Sequence, residues 1–268
     1  MYRGRFAPSP TGPLHLGSLV AAAASWLDAR AHGGEWLVRM EDVDEPRSKP
    51  VWADSILKTL ERFGLEWNGT VLVQSERKEA YQAALRSLKA RNMAYGCGCS
   101  RKEAGEGRYP GTCRSGCAQA RAWRFLTEDG VVSFDDRWTG RFGQDVATEV
   151  GDFVVLRADG YFAYQLAVVV DDGDQGVTDV VRGADLLDST PRQILLQRAL
   201  GLPTPKYLHH PLVKGKDGDK LSKQTQAQPV DEMQEDAALA AALGFLGLDS
   251  RRLEAAIEEW REKWVNGR

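Results

Sequence analysis

The sequence has no long hydrophobic segment. The uncharged run LHLGSLVAAAASWL falls short of the roughly 20 residues that a membrane-spanning helix needs. The first residues, MYRGRF, lack the apolar stretch of a secretory signal. Hydrophobic residues make up 43% and charged residues 27% of the chain, which is an ordinary balance for a globular protein. We therefore expect a cytoplasmic protein that does not enter a membrane.

The sequence also lacks a large net charge. Its formal charge is −3, which argues against a protein that coats nucleic acids non-specifically but leaves specific RNA contact open. Within residues 95–125, however, six basic side chains stand against two acidic ones. This local basic patch is compatible both with an ordinary solvated surface and with an RNA contact.

Cysteine is scarce and unevenly distributed. All four cysteines fall in CGCSRKEAGEGRYPGTCRSGC, residues 97–117. In a protein without a secretory signal, a metal site explains such a cluster better than disulfides do. Thiolates on two short turns can surround a tetrahedral Zn²⁺ with a structural role. On the thiol count alone, the ligands would be Cys97, Cys99, Cys113 and Cys117.

Strand-like and helix-like segments alternate along most of the chain. The predicted helices cover residues 14–32, 50–64, 76–91 and 188–200. The predicted strands cover residues 2–7, 35–41, 71–75, 161–172 and 206–213. This alternation predicts an α/β fold with a parallel sheet and crossover helices. A further helix is predicted from one apolar stripe near the end of the sequence: Leu253, Ile257, Trp260 and Trp264.

The first predicted strand is followed by SPTGPLHLGS, in which a helix begins. Ligands of parallel α/β sheets bind at such junctions, and phosphates favour helix N-termini. Gly12 and Gly17 let the backbone approach a ligand closely, and His15 can donate a hydrogen bond to a phosphate oxygen. The P-loop alternative is weak, because Ser18 and Leu19 stand where a P-loop has Lys followed by Ser or Thr.

A lysine-rich motif lies far downstream. KGKDGDKLSKQ contains Lys220 and Lys223, and two such lysines could stabilise the charge that develops on a phosphate chain during a reaction. Alone, such a run is more often a solvated loop. Together, HLGS and KLSK resemble the two signature motifs of the class I aminoacyl-tRNA synthetases, which are usually written HIGH and KMSKS. The histidine and both lysines of those motifs are present here.

The longer context resembles one family within this class. RFAPSPTGPLHLG, RMEDVDEPRS, YPGTCR and VVRGADLLDSTPRQ look like the glutamyl-tRNA synthetases over residues 1 to about 230. Members of that family continue into a large anticodon-binding part, whereas this chain ends 45 residues after Lys223. In this respect the chain resembles a shorter paralogous family, the glutamyl-queuosine tRNA(Asp) synthetases, which attach glutamate to the queuosine base of tRNA(Asp).

The resemblance implies a Rossmann-like class I catalytic domain, with a short helical C-terminal part and without an anticodon-binding domain. The first half of the catalytic domain would comprise residues 1–94, and the second half, with the KLSK loop, residues 159–230. A zinc-bearing insertion with a β-like segment would lie between them at residues 95–158. Residues 231–268 would form the helical C-terminal segment, and the protein is expected to be a monomer.

The resemblance also implies the residues of the active site. Arg5 and Arg182 would bind the carboxylates of glutamate, and Glu41 would bind its ammonium group. The pocket would be completed by Phe6, Ala7, Pro8, Ser9 and Tyr164. ATP, with Mg²⁺ on its phosphates, would be bound by His15, Gly17, Lys220 and Lys223. Of these, His15 and the two lysines would be catalytic.

For the metal, the family resemblance predicts a different set of ligands from the one that the number of thiols suggests. The family uses C-x-C, a tyrosine and one later cysteine, which match Cys97, Cys99, Tyr109 and Cys113 here. A phenolate is an unusual zinc ligand, because the free phenol has a pKa of about 10. We expect Tyr109 to be the fourth ligand, with Cys117 as the chemically plausible alternative.

Two other functions are compatible with the same residues. A truncated glutamyl-tRNA synthetase would charge a tRNA 3′ end, and mapping labelled glutamate on the tRNA would distinguish it. A non-catalytic, zinc-bearing RNA-binding module would show no ATP–pyrophosphate exchange. The presence of His15, Lys220 and Lys223 favours an enzyme over such a module.

Overall fold

The computed structural model describes residues 1–105, 107–213 and 228–267. Its N-terminal part contains a parallel sheet with the strand order β1-β2-β3. The strands are β1 (Arg3–Phe6), β2 (Glu35–Met40) and the two-residue β3 (Leu72–Val73). Helix α1 (Leu16–Ala31) connects β1 to β2, and helix α2 (Pro50–Arg62) lies between β2 and β3. These elements follow the predicted strand–helix alternation.

A second sheet continues the first. Its strand order is β7-β6-β10-β9. The strands are β6 (Val131–Asp136), β7 (Gly140–Asp145), β9 (Asp179–Gly183) and β10 (Lys206–His210). β10 is parallel to β9 and β6, whereas β6 and β7 form an antiparallel hairpin. The backbone N–H of Thr178, just before β9, donates to the carbonyl of Arg3 over 2.9 Å, so β9 lies beside β1.

A small antiparallel sheet with the order β4-β5-β8 carries the cysteine-rich segment. Its strands are β4 (Ala94–Cys97), β5 (Ala122–Phe125) and β8 (Val154–Leu156). The helices around it are α3 (Lys78–Ala90), α4 (Arg101–Ala104) and α5 (Val146–Glu149). Although β6 and β7 also lie within residues 95–158, β6 pairs with β10. One part of this interval is therefore built into the larger sheet.

Residues 161–172 are predicted as a strand, and this prediction is wrong. The structure has helix α6 there, Tyr164–Asp174. The β-branched run AVVV favours a strand, but residues 166–172 of α6 are all buried. A helix that is buried on all sides has no amphipathic stripe to distinguish it from a buried strand. The strand of this region is instead β9, which the sequence analysis did not assign.

The remaining helices are α7 (Thr190–Leu200), α8 (Glu235–Phe245) and α9 (Leu253–Arg261). Ser189 is the N-cap residue of α7, and Pro191 lies in its first turn, where no intrahelical hydrogen bond is lost. Leu253 and Trp260 of α9 are buried in the hydrophobic core. The predicted apolar stripe near the end of the sequence is thereby confirmed.

Helix α1 lies in the largest of the three hydrophobic clusters that the described residues form. Its alanine-rich sequence keeps the helix thin, and β1, β9, α8 and α9 pack around it. A second core contains residues of α3, α6 and α7. Within the described ranges, no helix is long and apolar enough to cross a membrane.

Candidate functional site

The turn before α1 places two predicted ATP-binding residues at the end of the sheet. His15 is the N-cap residue of α1, and its Nδ1 accepts the backbone N–H of Ser18 over 3.2 Å. In the neutral ring, an accepting Nδ1 leaves the proton on Nε2. Gly17 lies in the first helical turn, where the backbone N–H groups have no intrahelical acceptor. Both residues line one cleft.

This cleft lies at the carboxyl ends of β1, β2, β9 and β10 and has a volume of about 760 Å³. All ten described residues that were predicted to bind glutamate or ATP line it: Arg5, Phe6, Ala7, Pro8, Ser9, His15, Gly17, Glu41, Tyr164 and Arg182. They come from five separate segments of the sequence, so the tertiary fold is what brings them together.

Arg5 and Glu41 belong to a buried ion-pair network. Asp172 of α6 accepts a hydrogen bond from Arg5 Nε at 3.1 Å and lies 2.8 Å from Arg39 Nη2. The same Arg39 nitrogen donates to Glu41 Oε1 at 3.1 Å. Cations and anions thus alternate, and this pairing matters because an uncompensated buried charge is strongly destabilising. The network holds Arg5 and Glu41 in fixed orientations at the cleft wall.

Arg182 forms hydrogen bonds through all three of its nitrogens. Nη2 donates to Thr190 Oγ1 at 2.9 Å and to Gln193 Oε1 at 2.8 Å. Nη1 donates to the hydroxyl of Tyr164 at 3.3 Å, and Nε donates to His209 Nε2 at 3.0 Å. The guanidinium is therefore oriented before a ligand arrives, which lowers the ordering cost of binding a carboxylate.

His209 accepts from Arg182 in only one tautomer. Its Nδ1 lies 2.7 Å from Asp136 Oδ2, so the ring proton is on Nδ1 and Nε2 is the acceptor. Burial lowers the pKa of His209, and Arg182 acts in the same direction, so the ring stays neutral. Burial alone would raise the pKa of Asp136, but its hydrogen bonds from His209 and Thr139 hold it well below the usual range. Asp136 thus positions His209, which positions Arg182.

The two carboxyls near Arg39 differ in their electrostatic environment. Burial raises the pKa of Glu41, although Arg39 and Arg5 oppose this effect. Burial acts in the same way on Asp172, but there Arg5 and Arg39 prevail and hold its pKa below the usual value. Glu41 is therefore the carboxyl that gains more from an additional cation, such as the ammonium group of a ligand.

The predicted Lys220 and Lys223 lie outside the described residues. The chain on both sides of that segment reaches the cleft. Val213 lines the cleft, and the backbone N–H of Val230 donates to the carbonyl of Leu14 over 2.9 Å. The KLSK motif therefore lies in sequence between two positions that adjoin the turn before α1.

Three of the four cysteines meet beside the small antiparallel sheet. The sulfur atoms of Cys97, Cys99 and Cys113 all lie within 4.8 Å of one another, and those of Cys99 and Cys113 are 3.5 Å apart. Ligand atoms around a tetrahedral zinc ion are about 3.5 to 3.8 Å apart. These three thiols can therefore hold a metal ion.

The hydroxyl of Tyr109 is at the same point. It lies 3.5 Å from the sulfur of Cys97 and 3.5 Å from that of Cys99. Cys117, by contrast, is exposed, and its thiol donates to a backbone carbonyl of β4 at 3.4 Å. Tyr109 thus contacts two of the three clustered thiols, whereas Cys117 lies at the edge of the cluster beside Cys113.

Arg124 of β5 lies against this cluster. Its guanidinium carbon is 3.6 Å from the ring centroid of Tyr109, and its Nε donates to the sulfur of Cys97 at 3.3 Å. Arg124 is therefore in direct contact with two of the clustered donors, Cys97 and Tyr109.

A hydrogen bond from the backbone of Gly98 is the main cause that lowers the pKa of Cys113 to about 7. The pKa of Cys99, by contrast, is raised, and burial together with the neighbouring thiols raises that of the Tyr109 phenol. These two groups would therefore need the charge of the metal ion itself to become deprotonated.

Sequence reasoning did not find four residues that position the cleft: Arg39, Asp136, Asp172 and His209. The sequence offers one sign of such residues: each is a charged or polar residue that lies within an apolar segment or directly after one. Such residues are rarely buried unless they are paired. The pairing itself joins positions as far apart as Arg39 and Asp172, which no local pattern reveals.

The fold and the cleft define the class of this protein: it has the catalytic domain of a class I aminoacyl-tRNA synthetase. The family model described as "tRNA synthetases class I (E and Q), catalytic domain" matches residues 1–124 and 118–248.

Two curated relatives named "Glutamyl-Q tRNA(Asp) synthetase" narrow the assignment to one family within this class. The one from Burkholderia cenocepacia strain HI2424 is 58% identical over 263 residues, which cover 92% of this chain and 88% of the relative. The one from Thiobacillus denitrificans is 60% identical over 255 residues, which cover 91% and 85%. The chain belongs to this family of glutamyl-Q tRNA(Asp) synthetases.

A solved structure has the same fold. The glutamate-tRNA synthetase from Elizabethkingia anophelis matches with a TM-score of 0.74 at 27% identity, over 87% of this chain and 54% of that one. The present chain therefore spans about half the length of that synthetase.

Proposed function

We propose that this protein activates glutamate with ATP and transfers it to the queuosine base of tRNA(Asp). The observation that carries the proposal is the convergence of ten expected binding residues in one cleft. Relatives that are 58% and 60% identical carry the name glutamyl-Q tRNA(Asp) synthetase, which supports the choice of substrates. A cytoplasmic monomer remains the expectation for such an enzyme.

The charges along the cleft support glutamate as the amino acid. The guanidiniums of Arg5 and Arg182 and the carboxylates of Glu41 and Asp185 line it, so the cleft offers a ligand both cations and anions. Glutamate has two carboxylates and one ammonium group, which need partners of both signs. Arg5 and Arg182 then bind the carboxylates, and Glu41 binds the ammonium group. The other pocket residues in this proposal are Phe6, Ala7, Pro8, Ser9 and Tyr164.

In the first step, an α-carboxylate oxygen of glutamate attacks the α-phosphorus of ATP. A P–O bond forms, the bond to the bridging oxygen breaks, and pyrophosphate leaves with that electron pair. His15, Lys220 and Lys223 stabilise the charge on the phosphates, and Gly17 lets them approach the start of α1. Mg²⁺ bound with ATP would supply further neutralisation.

In the second step, a queuosine hydroxyl oxygen attacks the acyl carbon of glutamyl-adenylate. The new ester C–O bond forms, AMP leaves with the electron pair of the broken C–O bond, and the hydroxyl proton is released. The chain's contribution is mainly to hold the two reacting groups together, because such positioning removes much of the entropic barrier.

For the metal cluster, we assign a structural Zn²⁺ to Cys97, Cys99, Tyr109 and Cys113. The distances among the three sulfurs and the Tyr109 hydroxyl support this set. The ion would stabilise the glycine-rich segment that follows β4, which buries few apolar side chains of its own. We retain the division into residues 1–94, 95–158, 159–230 and 231–268 as a proposal for the domain organisation.

Two assays test the proposed function. ATP–pyrophosphate exchange should require glutamate and proceed without tRNA, because the glutamate cleft lies wholly within this chain. Labelled glutamate should appear on tRNA(Asp) that contains queuosine and not on queuosine-free tRNA(Asp). Label at a tRNA 3′ end would instead identify a truncated glutamyl-tRNA synthetase. Exchange that strictly required tRNA would also favour an ordinary glutamyl-tRNA synthetase. Absence of exchange both with and without tRNA in the folded protein would leave the RNA-binding module.

A further inference from the structure

A second cavity, of about 280 Å³, lies next to the glutamate cleft. Two chain segments connect the two spaces. Glu41 and Tyr164 line the cleft, whereas Val43 and Phe162, two positions away on the same segments, line the second cavity. Two residues of extended chain span about 7 Å. A group bound in the second cavity is therefore within reach of the amino acid.

The second cavity combines an apolar side with polar groups. Val43 and the rings of Tyr81 and Phe162 supply apolar surface, and the two ring centroids are 5.5 Å apart in an edge-to-face arrangement. Glu45 and Asp159 add carboxylates. This mixture fits a small ring that has hydrocarbon faces and several polar substituents.

Gln74 provides a buried acceptor in the same cavity wall. Its side chain is fully buried, and its Nε2 donates to Asp171 Oδ2 at 2.7 Å. Its Oε1 is also buried and has no hydrogen-bond partner among the residues that the structure describes. An unpaired buried amide oxygen is unfavourable, and a ligand with an N–H or O–H donor would remove that cost.

The charges around the cavity are paired. The ammonium of Lys78 lies 2.6 Å from a carboxylate oxygen of Glu45, and the guanidinium of Arg157 lies 2.5 Å from Asp159 Oδ2. The described lining therefore carries no uncompensated charge for a phosphate or a carboxylate to neutralise, whereas the unpaired oxygen of Gln74 needs a donor. This pattern calls for an uncharged group that carries hydroxyl or N–H donors.

We infer that this cavity binds the cyclopentenediol arm of the queuosine base, an inference that rests on the proposed function. The five-membered carbon ring of that arm has apolar faces for Val43 and Phe162. Its two hydroxyls are donors for the oxygen of Gln74 and for the carboxylates of Glu45 and Asp159. The location beside Glu41 brings a ring hydroxyl towards the activated carboxyl group.

The test compares three charge-neutralising variants with the unaltered protein. Glu45→Gln and Asp159→Asn each remove a cavity carboxylate with little change in shape. Glu76→Gln makes the same charge change at an exposed residue outside the cavity lining. Each cavity variant should lower kcat/KM for queuosine-containing tRNA(Asp) about tenfold, because a hydrogen bond to a charged group is lost. The Glu76 variant should stay within about twofold.

A second measurement separates recognition of the arm from folding and from glutamate activation. ATP–pyrophosphate exchange without tRNA should be the same in all four proteins, since it uses only the first cleft. Free queuine should inhibit transfer competitively, and Glu45→Gln should raise its inhibition constant about tenfold.

The outcomes distinguish this inference from the proposed function. If the unaltered protein transfers glutamate to queuosine while both cavity variants transfer it equally well, the inference is overturned and the proposed function stands. If the unaltered protein forms the adenylate but places no glutamate on queuosine, the proposed function fails and the inference fails with it.

Discussion

Buried residues behind the cleft wall hold the charged side chains of the cleft in position. Arg5 is 3% and Arg182 is 5% exposed, and each depends on a buried partner, Asp172 or His209. A guanidinium whose position is already fixed loses little conformational entropy when a carboxylate binds. Substrate affinity at this site is therefore expected to depend on partners that never touch the substrate.

The first residue-scale prediction concerns the fourth metal ligand. Purified Cys117→Ser protein should contain about one zinc ion per chain, because that thiol is exposed and donates to a backbone carbonyl of β4. Cys113→Ser protein should contain far less, because one of the three clustered thiols is lost. Tyr109→Phe should also lower the zinc content. Full zinc in Tyr109→Phe together with loss in Cys117→Ser would show that Cys117 is the ligand.

The second residue-scale prediction concerns stability at acidic pH. Burial lowers the pKa of His210 in the folded protein, whereas the unfolded chain has a histidine pKa of about 6.5. The unfolded state therefore takes up the proton first, so this contribution to stability is present above pH 6.5 and is lost as the pH falls through the folded-state pKa. In that window the free energy of unfolding should fall by about 1.4 kcal/mol for each pH unit per such group.

His210→Leu isolates this effect. The variant removes a titrating ring whose Nε2 has no partner within the described part of the chain. Urea unfolding between pH 7 and pH 5 should therefore show a smaller loss of stability in the variant than in the unaltered protein. Equal losses in both proteins would refute a role of His210 in the acid sensitivity.

At the scale of elements, α6 packs against α3 on one side and supplies a carboxylate to the arginines at the cleft on the other. Asp172 faces the arginines of the cleft, whereas the neighbouring Asp171 accepts hydrogen bonds from Gln74 and Tyr81, both at 2.7 Å. Asp171 also accepts from Arg77 Nε at 2.6 Å. One turn of a buried helix thus fixes two groups of side chains, which is possible because successive helical residues point in different directions.

The element-scale prediction tests this junction. Asp171→Ala should lower the free energy of unfolding by about 3 kcal/mol, because buried donors of α3 and its preceding turn lose their shared acceptor. Asp174→Ala is the matched control. Asp174 pairs with the same Arg77 but is 53% exposed, so its loss should cost less than about 1 kcal/mol. Similar unfolding curves for the two variants would contradict the proposed importance of the buried network.

At the scale of the whole molecule, Asp28 links distant parts of the chain. This fully buried residue of α1 accepts from Arg137, at 2.6 and 2.7 Å, and from Trp260 Nε1 at 2.9 Å. Tyr2 also donates to it, at 2.5 Å. A single buried carboxylate therefore joins the N-terminus, the segment after β6 and the C-terminal helix α9. We expect these parts to unfold together.

The whole-molecule prediction follows from this connection. Trp260→Ala should lower the free energy of unfolding by about 4 kcal/mol, because a large, fully buried side chain is removed. Loss of ATP–pyrophosphate exchange on heating should coincide with the loss of helical circular dichroism, at a lower temperature than in the unaltered protein. Glu258→Ala, on an exposed part of α9, should leave both transitions almost unchanged. Two separate transitions would show that α9 unfolds independently.

Features that depend on local chemistry could be predicted from the amino-acid sequence. The strand–turn–helix at His15, the helix α7 and the apolar stripe of α9 follow from turn residues and periodicity, which act between near neighbours. The clustering of Cys97, Cys99 and Cys113 within a short window likewise indicated a metal site before any fold was known. Motif resemblance supplied the cleft residues, and the fold brings those that it describes into one space.

Features that depend on the surroundings of a residue could be identified only in the packed chain. Residues 161–172 were predicted as a strand because a helix that is buried on every side shows no amphipathic period. The elements packed around α6 account for that burial. The partners of Arg39 and Arg182, and the placement of the Tyr109 hydroxyl near the thiols, likewise required the packed chain. The free energy of a buried charge or hydrogen-bonding group depends on partners that are distant in sequence, so a local pattern cannot specify it.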